Sequence, residues 1–138
     1  GSAAVRLGMA FASPEIIGYY NKVKYPYNVN QLAQEYALKA LADAPRVQAW
    51  VQQLLANRAW LVDALAALPL TRHIYASDAN FVLVKVSDAN GIYAYLRDRG
   101  IIVRNRNRIE KCLGCLRITV GTEQENETLI KALAEYGK

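Results

Sequence analysis

The feature that most limits the possible folds is a long run of apolar residues at helical spacing in the middle of the chain. Its members recur at steps of three and one, which puts them on one side of an α-helix. The stripe comprises Val47, Trp50, Val51, Leu54, Leu55, Arg58, Leu61, Val62, Leu65 and Leu68, with Arg58 as its only polar member. This spacing predicts an amphipathic helix of about six turns. Pro69 is predicted to end it.

After this helix the apolar residues alternate with a period of two, which is typical of strands. The segment HIYASDANFVLVKV contains two extended runs separated by Ser77 and Asp78. A helix follows in SDANGIYAYLRDRG and is predicted to end at Gly100. IIVRN and CLRITV are then strands, and Thr122 with Glu125 forms a capping box for a last helix. The order β, β, α, β, β, α predicts a small sheet with helices on one side.

The residues before the long helix are predicted to form one strand and two shorter helices. AAVRLGMAFAS is mostly apolar and indicates a short strand. Ser13 as N-cap and Pro14 at the first helical position predict a helix that ends near Pro26. A second helix is predicted after Asn30 and is interrupted by Pro45.

Length and charge limit the class of protein. A chain of 138 residues with 53% apolar and 21% charged residues fits one globular domain. No apolar stretch is long enough for a membrane span or a signal peptide, so we expect a soluble, intracellular protein and no membrane partner. The net charge of +5 is concentrated in the segment RNRNRIEK, which a local anion site explains as well as a nucleic-acid groove does.

Several kinds of site lack the residues they need. His73 is the only histidine and lies in a predicted strand, so no Ser/His/Asp triad can be assigned. The chain has neither of the common glycine-rich phosphate loops. Cys112 and Cys115 have C-x-x-C spacing, but they lack the further ligands of a zinc site and lead into a strand rather than opening a helix. We predict two plain reduced thiols and no metal.

The chemistry that remains is anion binding by arginine. Arg6, Arg104 and Arg117 interrupt apolar, strand-like segments, and Arg106 and Arg108 lie nearby. An unpaired buried guanidinium is costly, whereas a guanidinium facing a ligand binds carboxylate or phosphate through two hydrogen bonds. Each arginine taken singly fits a strand end that reaches water. The three together leave an anion site and that simpler arrangement both open.

Tyrosine is abundant, with nine residues that include Tyr25 and Tyr27 in KYPYNVN. The simpler interpretation is a turn after a helix whose rings pack on the domain. Pro26 and the asparagines mark the segment as a loop, however, and binding residues often lie on loops. Both interpretations stay open.

Taken in order, five segments closely resemble the C-terminal part of the histidinol-phosphate aminotransferases, which are pyridoxal-phosphate enzymes of the fold type I aminotransferase class. They are AAVRLGMAFAS, KVKYPYNVN, SDANFVLVKV, GIIVRNRN and GCLRITVGTEQEN. The resemblance implies an α/β fold of type I, of which this segment is an α+β C-terminal small domain with a long interdomain helix. It divides the chain into a remnant of the large cofactor-binding domain at residues 1–30, interdomain helices at 31–70 and the small domain at 71–138.

The resemblance also implies roles for single residues. Arg6 resembles the arginine that binds the cofactor phosphate. Arg117 resembles the arginine that receives the carboxylate of glutamate or 2-oxoglutarate and helps hold the other substrate's phosphate. Arg104 and Tyr27 resemble further substrate contacts. The implied reaction is amino-group transfer between these dicarboxylic acids and histidinol phosphate or imidazole-acetol phosphate in histidine biosynthesis, by a cytoplasmic homodimer.

One catalytic residue of that family has no counterpart in the chain. The family's Schiff-base lysine stands shortly before the arginine of V-R-L-G, which here falls upstream of Gly1. Without this lysine the proton transfers of the reaction have no base. We therefore expect a C-terminal portion of a longer enzyme that is inactive alone. Its first 30 or so residues are expected to need a partner, because a strand cut from its sheet has unpaired edges.

Two other interpretations fit parts of the sequence. Another fold type I enzyme acting on a phosphorylated amine, such as a threonine-phosphate decarboxylase, shares the arginine pattern. A small nucleic-acid-binding module would use RNRNRIEK as a basic loop, but it needs aromatic side chains on the exposed sheet face. The strands are instead rich in Ile, Val and Leu. We therefore expect small phosphorylated and dicarboxylic substrates and no nucleic-acid partner.

Overall fold

The computed structural model describes residues 3–137, which fall into two compact units. The N-terminal unit comprises residues 1–48 and the C-terminal unit residues 49–138. The boundary between them falls inside a long helix. Each unit is described by itself below, and the three-part division at residues 30 and 70 stays a prediction.

The N-terminal unit consists of helices whose ends the sequence specifies locally. A short 3-10 helix spans Ala3–Val5, α1 spans Pro14–Val23 and α2 spans Gln31–Ala42. The side chain of Ser13 accepts a hydrogen bond from Ile16 N at the start of α1. Asn30 Oδ1 accepts one from Ala33 N, at 2.8 Å, at the start of α2. The predicted cap at Ser13 and the predicted start of a helix after Asn30 are confirmed, and each oxygen satisfies a backbone donor that the first turn leaves free.

The strand predicted for AAVRLGMAFAS is wrong. After the 3-10 helix, residues 6–13 form no regular element. A strand needs a neighbouring strand to accept and donate its backbone hydrogen bonds. Within residues 3–48 the structure contains helices and loops but no strand, so this segment has no ladder to join.

The predicted long helix is present as α3, Ala44–Ala66. It begins earlier than predicted, because Pro45 lies in its first turn, where a missing N–H costs no hydrogen bond. It ends before Pro69, in turns where Leu68 N donates to Leu65 O and Thr71 N donates to Leu68 O. Arg58, the polar member of the stripe, donates from Nη1 to the carbonyl of Ala79 at 2.8 Å.

The sheet of the C-terminal unit has four antiparallel strands in the order β1-β2-β4-β3. The strands are β1 Thr71–Ile74, β2 Phe81–Val86, β3 Arg104–Asn105 and β4 Cys115–Thr119. The strand predicted for IIVRN is shorter than expected, because only its last two residues pair with β4.

Two helices complete the unit, and both end signals predicted for them are confirmed. Helix α4 spans Ala89–Arg97 and is followed by Gly100, whose φ of 75° lies in the left-handed region that glycine adopts without strain. Helix α5 spans Glu123–Glu135 and begins with the capping box of Thr122 and Glu125.

The two faces of the sheet have different surroundings. One face packs on the apolar sides of α3, α4 and α5 and forms the core, whose fully buried members include Leu61, Leu65, Val84, Ile92, Leu96, Leu116 and Leu133. The other face, here called the open face, presents Phe81, Leu83, Lys85, Cys115, Arg117 and Thr119. This confirms the prediction of a sheet with helices on one side.

No helix within residues 3–137 is both long enough and apolar enough to cross a lipid bilayer.

Candidate functional site

Two of the predicted site residues are neighbours on the open face. In the pairing of β3 with β4, Arg104 lies directly opposite Arg117. Residues directly opposite in an antiparallel ladder share a face, with Cβ atoms about 4.5–5.5 Å apart. The register therefore gives an arginine pair, Arg104 and Arg117, whose side chains leave the sheet on the same side.

The surroundings of the arginine pair are apolar and aromatic rather than acidic. Leu83 is the neighbour of Arg117 on β2, and the guanidinium carbon of Arg117 lies 5.0 Å from the centre of the Phe81 ring. Such a cation–π contact stabilises the positive charge of the guanidinium but does not neutralise it. Among the described residues, ion pairs form between Arg46 and Asp43 and between Arg97 and Asp98, and neither arginine of the pair takes part in one.

One donor of Arg117 is left without a partner. Its Nε is buried and makes no hydrogen bond to any residue that the structure describes. A buried donor without an acceptor costs about 1–3 kcal/mol, more for a charged group. Two arginines directly opposite each other add repulsion, since like charges in that position destabilise a sheet. An oxyanion bound at the pair would relieve both costs.

The loop that joins β3 to β4, residues 106–114, is held by side-chain hydrogen bonds. Asn107 Oδ1 accepts from Gly114 N at 2.7 Å, and Asn105 Oδ1 accepts from Asn107 N at 2.8 Å. On α4, Asn90 Oδ1 accepts from Asn105 Nδ2 at 2.8 Å and from Asn107 Nδ2 at 3.4 Å. Sequence patterns do not predict this network, because it joins positions that no helix or strand period relates.

The two cysteines lie at the end of this loop and are free thiols, as predicted. Burial raises the pKa of the Cys115 thiol, and the neighbouring Cys112 raises it further, while Lys85 acts in the opposite direction. A thiol with a raised pKa is a poor nucleophile near neutral pH. Within residues 3–137, no group of three or more His, Cys, Asp or Glu side chains is placed to hold a metal ion.

A groove of about 670 Å³ lies elsewhere in the C-terminal unit. It runs between residues 99–103 and the segment from Ile118 to Leu129, and the arginine pair does not line it. The groove exists because residues 101–103 do not pair with β4, whereas residues 104 and 105, which follow them, do. Its position depends on where pairing stops, which the alternation of apolar residues does not specify.

The remaining predicted site residues, Arg6 and Tyr27, belong to the N-terminal unit. Both are exposed, and Tyr27 is 99% accessible. Both also have φ of 58°, in the left-handed region, and Lys111 is the other described non-glycine residue with positive φ. Such a conformation costs a residue other than glycine about 1 kcal/mol or more and is frequent at binding sites.

The single histidine lies on the edge strand β1 and is exposed. His73 lies on β1 opposite Lys85, with its ring edge-on to Tyr75 at 4.6 Å between centroids. Phe81 is the aromatic contact of Arg117 that sequence reasoning missed. The alternation of side chains along β2 shows which face Phe81 lies on, but the register with β4 is needed to place it near Arg117.

The chain is similar in sequence to known aminotransferases. The sequence profile described as aminotransferase class I and II matches residues 1–133. A histidinol-phosphate aminotransferase of Parabacteroides distasonis is 53% identical over 133 residues, which are 96% of this chain and 39% of that protein. The chain thus spans about two fifths of the length of this curated relative.

Solved structures agree with this assignment. A putative aminotransferase from Burkholderia pseudomallei matches 90% of this chain and 38% of its own, with a TM-score of 0.78 and 34% identity. The histidinol-phosphate aminotransferase of Clostridium acetobutylicum matches 87% of this chain and 37% of its own, with a TM-score of 0.79. Because the two sequences are only 21% identical, this match supports the fold alone. The chain belongs to the aminotransferase class I and II family, and its fold is that of the fold type I aminotransferases.

Proposed function

We propose that this chain is the part of a histidinol-phosphate aminotransferase that binds the anionic groups of its substrates. The longer enzyme transfers an amino group between glutamate or 2-oxoglutarate and histidinol phosphate or imidazole-acetol phosphate. The observation that carries the proposal is the arginine pair on the open face, with a buried donor of Arg117 that has no partner in the described structure. The 53% identical relative of that name supports the choice of substrate.

Arg104 and Arg117 suit a site that must accept two kinds of anion in turn. A guanidinium binds a carboxylate or a phosphate through two parallel hydrogen bonds, so one pair can serve a dicarboxylic acid and a phosphate ester. Arg117 is half-buried against Phe81 and fixes the position of the bound oxygens, whereas Arg104 is exposed and adds a second positive charge. Their role is to bind and orient the end of the substrate remote from the reacting carbon.

Pyridoxal phosphate is the proposed cofactor, and the chain fits one part of it. Arg6 is exposed, and its side chain makes no hydrogen bond or ion pair with any residue from 3 to 137, which fits a contact to the cofactor phosphate. When bound, the cofactor supplies the electron sink for amino-group transfer. No lysine of the chain can be assigned by motif as its covalent partner. We propose Tyr27, held at positive φ, as a further contact to substrate.

The proposed assembly is a cytoplasmic homodimer. The N-terminal unit exposes large apolar side chains, among them Met9, Phe11, Val23 and Leu32. Apolar surface of this kind is stabilised when another protein surface covers it. Light scattering of the purified chain is expected to give a mass above that of the 15.4 kDa monomer. A monomer with mobile residues 3–30 would contradict this part of the proposal.

The binding role is tested by nuclear magnetic resonance titration of the chain with histidinol phosphate and with 2-oxoglutarate. We expect both to shift the Arg117 Nε–H signal and to compete with each other. Arg117→Lys keeps the charge but loses the two-pronged geometry, and is expected to weaken binding about tenfold. Arg72→Lys, at an exposed arginine of β1, is the matched control. Binding that is unchanged by Arg117→Lys would overturn the proposal.

The choice of substrate is tested by the same titration with threonine phosphate. Histidinol phosphate is expected to bind more tightly, because the imidazole adds contacts that threonine phosphate lacks. Tighter binding of threonine phosphate would instead favour a threonine-phosphate decarboxylase.

A separate test addresses turnover. The chain mixed with pyridoxal phosphate, glutamate and imidazole-acetol phosphate is expected to produce no histidinol phosphate, because it offers no assigned Schiff-base lysine. Measurable production of histidinol phosphate would show that one of its lysines takes that role.

A further inference from the structure

The arginine pair depends on a strand that is held by very few ladder hydrogen bonds. Only Arg104 and Asn105 of β3 pair with β4, one further backbone hydrogen bond joins Arg106 N to Cys115 O at 2.9 Å, and β3 lies at the edge of the sheet. Residues 101–103 have already left the ladder. An edge strand of two residues carrying a positive charge opposite a second one would be expected to separate from its neighbour.

Side-chain hydrogen bonds counteract this separation from two directions. On the core-facing side of β3, Asn105 Nδ2 donates to Asn90 Oδ1 of α4 at 2.8 Å. Across the loop, Asn107 Oδ1 accepts from Gly114 N at 2.7 Å, and the carbonyl of Gly114 accepts from Val86 N of β2 at 2.9 Å. Asn107 thus connects the end of β3 to the interior of the sheet.

The position of Asn107 is itself fixed. Its backbone N–H donates to Asn105 Oδ1 at 2.8 Å, and its Nδ2 donates to Asn90 Oδ1 at 3.4 Å. Gly114 has φ of 77°, which lets its N–H turn toward Asn107 without the strain that another residue would have there. Asn107 therefore uses both ends of its amide, one toward the loop and one toward α4.

We propose that Asn107 is a positioning residue that holds Arg104 beside Arg117, so that the two guanidinium groups can share one oxyanion. This rests on the proposed function, because it assumes that the arginine pair binds an anion. Asn107 does not itself touch that anion in this arrangement, since its amide is occupied by Gly114 and Asn90. Its effect on binding passes through the strand that carries Arg104.

The test is a double-mutant cycle with inorganic phosphate as the probe, followed by nuclear magnetic resonance on the whole chain. Asn107→Ala is expected to weaken phosphate binding about fivefold, the equivalent of one lost hydrogen bond. In the Arg104→Ala background, Asn107→Ala is expected to cause no further loss, because the group that it positions is gone. A purely structural role would give the same loss in both backgrounds.

A matched control and a second variant cover changes in folding. Asn57→Ala also removes a side-chain hydrogen bond to a backbone carbonyl, from Asn57 Nδ2 to Gly121 O, but far from the loop. It is expected to leave phosphate affinity unchanged. Should Asn107→Ala fail to fold, Asn90→Ala removes the shared acceptor on α4 and is expected to show the same dependence on Arg104.

The outcomes separate the two proposals. Phosphate binding that is insensitive to Arg104→Ala and Arg117→Lys would overturn the proposed function. Binding that needs both arginines but is unchanged by Asn107→Ala and Asn90→Ala would overturn the positioning role alone. Equal losses from Asn107→Ala with and without Arg104 would also overturn it.

Discussion

The two units of the chain are both rich in apolar residues, but they bury them to very different extents. In residues 3–48, Ala33 is the only side chain that is buried. In the C-terminal unit, fifteen residues from three helices and the sheet form one buried cluster. The N-terminal helices nevertheless have ordinary caps at Ser13 and Asn30. Local signals therefore suffice to define where a helix begins. Burial of its apolar side, by contrast, needs another helix or a sheet to pack against it.

The long helix shows the same contrast within a single element. Its predicted stripe is continuous, yet Val51 in the first half is 48% exposed, while Leu61 and Leu65 in the second half are fully buried. The second half lies against β2, β4 and the helices α4 and α5 in the core cluster. Helical periodicity thus predicted the helix, but not which part of its apolar side the chain itself covers.

The largest effect is expected from substitutions that compare the two halves of α3. Leu65→Ala removes a fully buried side chain and is expected to lower the free energy of unfolding by about 2–5 kcal/mol, through lost burial and the cavity left behind. Val51→Ala, in the exposed half, is expected to change it by less than about 0.5–1 kcal/mol. Urea denaturation followed by circular dichroism measures both.

The comparison between the halves would break down if Val51→Ala destabilised the chain as much as Leu65→Ala. Such a result would mean that the first half of α3 is covered in solution, for example by a second copy of the chain. Repeating the measurement at several protein concentrations distinguishes that case, because a dimer interface makes stability depend on concentration.

A second, smaller effect on stability is expected from substituting two asparagines, one in each unit, that make structural hydrogen bonds. Asn126 is 2% exposed and makes two hydrogen bonds with Gly121: its Oδ1 accepts from the backbone N–H, and its Nδ2 donates to the carbonyl. Asn126→Ala leaves both groups of Gly121 without this partner and is expected to cost about 2–3 kcal/mol. Asn30→Ala removes a helix cap and is expected to cost about 1 kcal/mol.

Amide hydrogen exchange locates these two losses. After Asn126→Ala, faster exchange is expected throughout the sheet and α5, because the unit unfolds as a whole. After Asn30→Ala, it is expected only in the first turn of α2. Faster exchange across both units after Asn30→Ala would contradict the view that the N-terminal helices are defined locally.

Features that depend on neighbouring residues could be predicted from the sequence, whereas features that depend on packing between elements could not. The caps at Ser13 and Thr122 and the end of α4 near Gly100 depend on neighbouring residues and were predicted correctly. The strand at residues 3–13 was wrong and β3 is shorter than predicted, because a strand is defined by its partner and not by its own alternation.

The candidate site depends on the register between strands. The arginines were recognised one by one, as charges within apolar segments, but their pairing required the alignment of Arg104 with Arg117 across the sheet. The contact of Arg117 with Phe81 and the bond between Asn107 and Gly114 follow from the same alignment. A period along one strand carries no information about its neighbour, so these contacts could not be read from the sequence.

The smallest effect concerns the capping box, the local signal inside the well-packed unit. Hydrogen bonds from the backbone N–H of Thr122 and then from its hydroxyl lower the pKa of Glu125 from its ordinary value of 4.5. Because the folded state prefers the charged carboxylate, its contribution to stability is present above pH 4.5 and is lost as the pH falls through the lower, folded pKa. Glu125→Gln keeps an oxygen acceptor but has no charge.

The melting temperature of Glu125→Gln is therefore expected to lie below that of the original chain at neutral pH, and the difference is expected to shrink at acidic pH. Glu123→Gln removes a charge from the same first turn without touching the cap, and is expected to have a smaller effect at neutral pH. A Glu125→Gln difference that stays constant down to about pH 3 would mean that the charge of Glu125 adds nothing to the cap. The start of α5 would then rest on the uncharged hydrogen bonds of the cap and on the burial of Leu129 and Leu133, which the N-terminal helices lack.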